Sequence, residues 1–306
     1  MVSPASHATD LLTARAPAPL GPRTQLIARW LWLHLVPQSI RTWFYRILLD
    51  LGMARYRRQP LGMGQPLPFG LYAKPIPLWS LDNEPNALRL IEKHAPSIQA
   101  PRLIETFDAG PDLDGHARGR WLITTALPGI RAHSVLYRMS YPERERLADD
   151  LRRIFDQLAR IPNTTPHLFA NVSGGPIVDE RVASRARGPY DSEDALNAQM
   201  AKPYEKDLRG TIPSAFSRAH RSVLAHGHLV MRKVLVDGGR LTGVVDWEDA
   251  HFMPEYWDCS KAMTGIGCDG DAQEVFGRVW GGRFEEELKV TRWLDRAHPF
   301  GGPDPD

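Results

Sequence analysis

Between residues 25 and 58 apolar side chains recur at spacings of three, four and seven, with Trp30, Leu33, Ile40, Trp43, Phe44, Ile47 and Leu48 on helical faces. Pro37 lacks an amide donor and divides the run into two helices. The texture then shifts to short apolar runs among Pro and Gly, in which "FGLYAK" is the best strand. "DNEPNALRLIEKH" predicts a helix with Asn83 as N-cap, Pro85 in the first turn and Ala87, Leu88 and Ile91 facing inward. "RLIETFDAG" and "GRWLITTALPG" predict two further strands around a loop containing "GPDLDGHARG". From Ser140 a longer helix is announced by a capping box, Ser140 with Glu143, and by Leu147, Leu151, Ile154, Phe155 and Leu158 on one face. Residues 162–195 read as loop and 196–224 as partly helical. "KVLVD" and "LTGVVDW" then form a hairpin around Gly238-Gly239, helices run to about residue 296, and "HPFGGPDPD" reads as a frayed end.

Composition narrows the class. The chain has 306 residues, 42% hydrophobic and 24% charged, which suits two lobes that each bury a core. A net charge of +2 gives no field that would select nucleic acid. Cys259 and Cys268 cannot build a disulfide framework and read as reduced thiols, in keeping with a cytoplasmic protein. Residues 1 to about 24 are rich in Ala and Pro and read as an extended leader, not a signal peptide. The apolar run "LIARWLWLHLVP" falls short of the about 20 residues that span a bilayer. A basic, Trp-rich amphipathic stretch can lie on a membrane surface; the preferred reading packs residues 25–58 on the main body instead.

The chemistry concentrates between residues 224 and 263. Asp246 ends the second hairpin strand, and Glu248 and Asp249 follow, a density of carboxylates that suits a hard cation better than a core. His226-Gly227-His228-Leu229, position 233 and Asp246 keep the spacing of a catalytic loop and metal-binding segment. Here the chain resembles the aminoglycoside phosphotransferase and choline kinase-like family, of protein kinase-like fold. "GVVDWEDA", "MPEYWD" and Asp258 are similar to its fungal versions in particular, which implies a setting in fungal small-molecule metabolism. The resemblance implies an α+β, two-lobed architecture with a small β-rich N-lobe, a larger mostly helical C-lobe and an N-terminal helical extension. The expected boundaries are 1–58 for leader and extension, 59–128 for the N-lobe and 129–306 for the C-lobe. It also implies ATP and Mg2+ as cofactors and a small-molecule hydroxyl as acceptor. Lys74 and Glu84 match the pair that holds the nucleotide phosphates, and Asp246 the metal ligand, with Glu248 as a further carboxylate. "WLITTALPG" resembles the linker that meets adenine, while "LGMGQPLPFG" is a weak substitute for a glycine-rich phosphate loop.

Two positions depart from the pattern. His228 stands where the family has the catalytic Asp, and Lys233 where it has the metal-binding Asn. An imidazole can take a proton near neutral pH but brings no negative charge to orient a hydroxyl. An ammonium cannot ligate magnesium and repels it, though it can neutralise Asp246 or a phosphate. Three readings follow. The protein has lost or nearly lost phosphate transfer; or it is an active small-molecule kinase with His228 as base; or the fold serves other chemistry or binding, with His226, His228 and Glu248 as acids and bases.

Overall fold

The computed structural model describes residues 22–56, 64–77, 80, 82–110, 119–183, 185–202, 219–265 and 270–297. Residues 1–21 of the leader, most of the "GPDLDGHARG" loop, residues 203–218 of the partly helical stretch, Cys268 and the C-terminal "HPFGGPDPD" lie outside them; the last leader residues, 22–24, are instead helical, at the start of the first helix. Chain contacts divide into two units, residues 1–76 with 104–126, and residues 77–103 with 127–306. The helix after residue 82 therefore goes with the larger unit, whereas the sequence expectation kept 59–128 together.

The smaller unit holds α1 (Pro22–Leu35), α2 (Gln38–Tyr56), β1 (Gln65–Leu67), β2 (Leu71–Pro75), β3 (Leu103–Asp108, from Ile104 onward) and β4 (Arg120–Thr125). The strands form a sheet of order β1-β2-β4-β3; of the expected strand "FGLYAK", Leu71–Lys74 lie on β2, while Phe69 and Gly70 belong to the 3-10 turn before it. Tyr45, Leu48 and Leu49 of α2 join Leu67, Ala73, Phe107 and Ile123 in its core. Gly52 follows at the next turn, where a Cβ would lie 2.6 Å from the Pro66 carbonyl, so only glycine lets helix and strand approach this closely. Arg41 clamps the Glu105 carboxylate with two nitrogens, at 2.7 and 2.9 Å, and the Trp32 indole donates to the Tyr45 hydroxyl at 2.6 Å. The periodic set read from the sequence is not the buried face: Trp30, Ile40 and Trp43 are exposed, Leu33, Phe44 and Ile47 half-buried, and only Leu48 is core.

The larger unit begins with α3 (Asn83–His94). Its N-cap is Asp82, in a left-handed conformation with φ 59°, and not Asn83. Asn83 has a tertiary task, donating to the carbonyls of Glu248 (2.8 Å) and Ala250 (2.7 Å). α4 (Tyr141–Leu158) starts on the predicted capping box, with Ser140 N–H donating to Glu143 at 2.7 Å. Leu147, Leu151, Ile154 and Leu158 are its buried face. Two short sheets follow. One joins β5 (Ile130–Arg131), β8 (Val234–Asp237) and β9 (Arg240–Val244); the other has β10 (His251–Pro254) between β6 (Ala170–Asn171) and β7 (Ser222–Ala225). Positive φ at both Gly238 (54°) and Gly239 (73°) makes the tight turn of the β8–β9 hairpin. Asp150 of α4 anchors that hairpin through two 2.8 Å bonds from Arg240. α5 (Glu193–Ala201), α6 (Trp257–Thr264), α7 (Gly270–Trp280) and α8 (Glu285–Ala297) complete the unit, around Phe169, Leu196, Met253 and Trp257.

Candidate functional site

β7 runs directly into His226-Gly227-His228, and buried Asp258 on α6 accepts the backbone N–H groups of His226 (2.8 Å) and Gly227 (2.9 Å). Burial pushes the Asp258 carboxyl up to about 6, against the pull of those two donors. Gly227 has φ 81°, and a Cβ there would stand 1.8 Å from the Asp249 carbonyl oxygen. The loop thus rides on the backbone of Asp249. That same carbonyl accepts from Nδ1 of buried His251 at 2.5 Å.

This close approach decides which side chains meet. His228 Nδ1 lies 3.4 Å from Asp249 Oδ2, with the ring 44% exposed. Lys233 is fixed just beyond β9 because Val245 N–H donates to its carbonyl at 2.9 Å. Its ammonium, 11% exposed, sits 2.7 Å from Asp246 Oδ2 and 3.5 Å from Asp249 Oδ2. Burial alone would raise Asp249, but the hydrogen bond to His228 and the charge of Lys233 outweigh it and bring the carboxyl down to about 2. Asp246 itself has φ 71°, an uncommon conformation for a side-chain-bearing residue, and one found where the surroundings over-determine a functional position.

His226, by contrast, is fully buried. Its Nε2–H donates to the Val245 carbonyl at 3.1 Å, its ring leans on Trp247 with centroids 4.7 Å apart, and Nδ1 faces the His228 amide at 3.4 Å. Burial, reinforced by Lys233, pushes its pKa down to about 3, so it stays neutral. It is a framework residue, which corrects its assignment as an acid or base.

Glu84, buried at the start of α3, accepts from Trp247 N–H at 3.0 Å and so grips the segment after Asp246. Glu84, Asp246 and Glu248 bring carboxylate oxygens within 4.8 Å of one another. Distance alone would admit a cation there. The donor chemistry argues otherwise: an ammonium already occupies one face of Asp246, and the position of the neutral amide ligand holds that ammonium. These residues do not fit the magnesium site that the resemblance implies. Lys74 lies on β2 of the smaller unit. The structure brings together His228, Lys233, Asp246, Glu248 and Glu84, all in the larger unit. Asp249 was read from the sequence only as one of three acidic residues, and the structure makes it the shared partner of His228 and Lys233.

The profile described as "Phosphotransferase enzyme family" matches residues 71–299. Among solved structures, the GDP complex of wild-type aminoglycoside 2'-phosphotransferase-IIIa resembles this chain with a TM-score of 0.54 at 14% identity, covering 83% of this chain and 89% of the other. The gentamicin complex of APH(2'')-IIa gives 0.47 at 16% identity over 76% of each chain. No curated protein matches at a significant level. The first of these likenesses shows the mixed α+β, kinase-like architecture expected from the sequence.

Proposed function

Because the chain belongs to the phosphotransferase enzyme family, we propose that it keeps a nucleotide-binding frame but transfers phosphate to a small-molecule hydroxyl slowly or not at all. The observation that carries this reading is the Lys233 ammonium, 2.7 Å from Asp246. Phosphoryl transfer depends on neutralising charge that spreads over the moving group, and magnesium, when bound, would supply that neutralisation. Lys233 offers a single fixed charge, already shared between Asp246 and Asp249. Asp246 is thereby held by the protein itself. Lys233 would meet a nucleotide phosphate as a point charge, which supports binding better than transfer.

A second reading has its own support in the His228–Asp249 pair. With Nδ1 facing a carboxylate that is ionised at any physiological pH, the ring is oriented and Nε2 is left for an acceptor hydroxyl. That arrangement suits an active kinase with a histidine base. The third reading, other chemistry or binding on the same fold, keeps only His228 and Glu248 as acids and bases, because His226 is buried and neutral.

Steady-state ADP formation from ATP and magnesium separates the first two readings. The expected rate lies at least about a hundredfold below the about 1–100 per second of ordinary kinases. Turnover inside that range, abolished by His228→Ala, would establish the second reading in place of the first.

A further inference from the structure

We propose that the outward face of the two N-terminal helices docks on an anionic bilayer surface. On α1, Ile27, Trp30, Leu31 and Leu35 line one face and are 42–68% exposed. On α2, Ile40, Trp43 and Leu51 line another, 50–62% exposed, with half-buried Ile47 between them. These are seven of the thirteen large apolar side chains exposed among the described residues, gathered on two helices. Packing among the described residues does not account for those on α2, which buries Tyr45, Leu48, Leu49 and Gly52 on its opposite side. An exposed apolar stripe of this size marks a surface that meets something.

Charge and residue type choose the occupant. Residues 25–58 carry six arginines against one acidic residue, Asp50, while the whole chain is only +2, so the remainder is net negative. Arg41 is engaged by Glu105, but Arg46 and Arg55 are exposed on α2. A basic helix pair whose apolar side includes two tryptophans fits the headgroup boundary of an anionic membrane, where indoles settle and arginines meet lipid charge. A second copy of the chain would bring an equally basic face to this one, and the two would repel. No described helix is long and apolar enough to cross a bilayer, so the contact lies on the surface.

The test is co-sedimentation of the full chain with vesicles of phosphatidylcholine alone and with about 30% phosphatidylserine, a fraction giving an appreciable negative surface potential. Binding should be at least about tenfold stronger on the anionic vesicles and should fall steeply in about 0.5 M salt, where screening leaves little of the attraction. W30E/W43E should weaken it by about tenfold or more without changing the melting temperature, since both side chains are exposed. Failure to bind anionic vesicles, or equal binding to both compositions, would overturn the proposal. So would a concentration-dependent dimer that W30E/W43E converts to monomer, which would assign the face to a second copy. The lipid-composition and salt arms use the unaltered chain and decide the matter even if the double variant is unstable.

Discussion

The double variant His228→Asp, Lys233→Asn should transfer phosphate from ATP with magnesium at least about a hundredfold faster than the wild type, the scale of one positioned acid–base group. The first change places a carboxylate beside the acceptor, on a loop already held by Asp258 through two backbone N–H groups. The second withdraws the ammonium from Asp246 and offers an amide oxygen in its place. Lys233→Asn alone should cost stability, because Asp246 and largely buried Asp249 lose their shared cation; breaking such a pair costs about 3 kcal/mol when buried and less here, where the carboxylates are partly solvated. Added magnesium should return that loss in a thermal melt of the single variant, by binding the folded state alone. Neither single change should restore much turnover, since base and metal act in one transition state. A double variant as silent as the wild type, yet folded, would mean that the weak phosphate-loop substitute "LGMGQPLPFG" and not these two side chains limits the chemistry.

Gly227→Ala should be the most damaging small substitution in the site. Its Cβ would stand 1.8 Å from the Asp249 carbonyl, backbone that cannot swing aside, at a φ of 81° that alanine adopts only at a cost. Overpacking and left-handed strain together come to about 3 kcal/mol or more. Urea denaturation should show this as a lowered midpoint with an unchanged slope. Gly238→Ala is the control: its φ is 54° but nothing lies within 4 Å of its Cβ, so strain acts alone and the loss should be about 1 kcal/mol. Equal losses for the two variants would contradict the close approach of the loop to Asp249.

What the sequence could announce was local. Gly238-Gly239 between β-branched runs defines a hairpin, Ser140 with Glu143 starts a helix, and the spacing from His226 to Asp246 survives because loop and hairpin fold as one segment. What it could not announce depends on distant chain. Asn83 looks like a helix cap until α3 is seen against the Glu248–Ala250 backbone, 165 residues on, which claims its amide. Glu248 and Asp249 are neighbours of like charge, and only the approach of Gly227 to the Asp249 backbone singles out Asp249 for His228 and Lys233. The periodicity of residues 25–58 correctly gave two helices but not which side faces in. Both sides of α2 are apolar, and the sheet beneath it takes Tyr45, Leu48 and Leu49 while leaving Ile40 and Trp43 outside. A signal for this was present in Gly52, the small residue one turn beyond the buried set.

If Lys233 takes the place of a metal in the site, calorimetric titration of the unaltered protein with ATP, alone and with excess magnesium, will show it. Magnesium should then improve ATP affinity by less than about tenfold, or about 1.4 kcal/mol. An improvement of tenfold or more would show a working metal site beside Asp246 and contradict it.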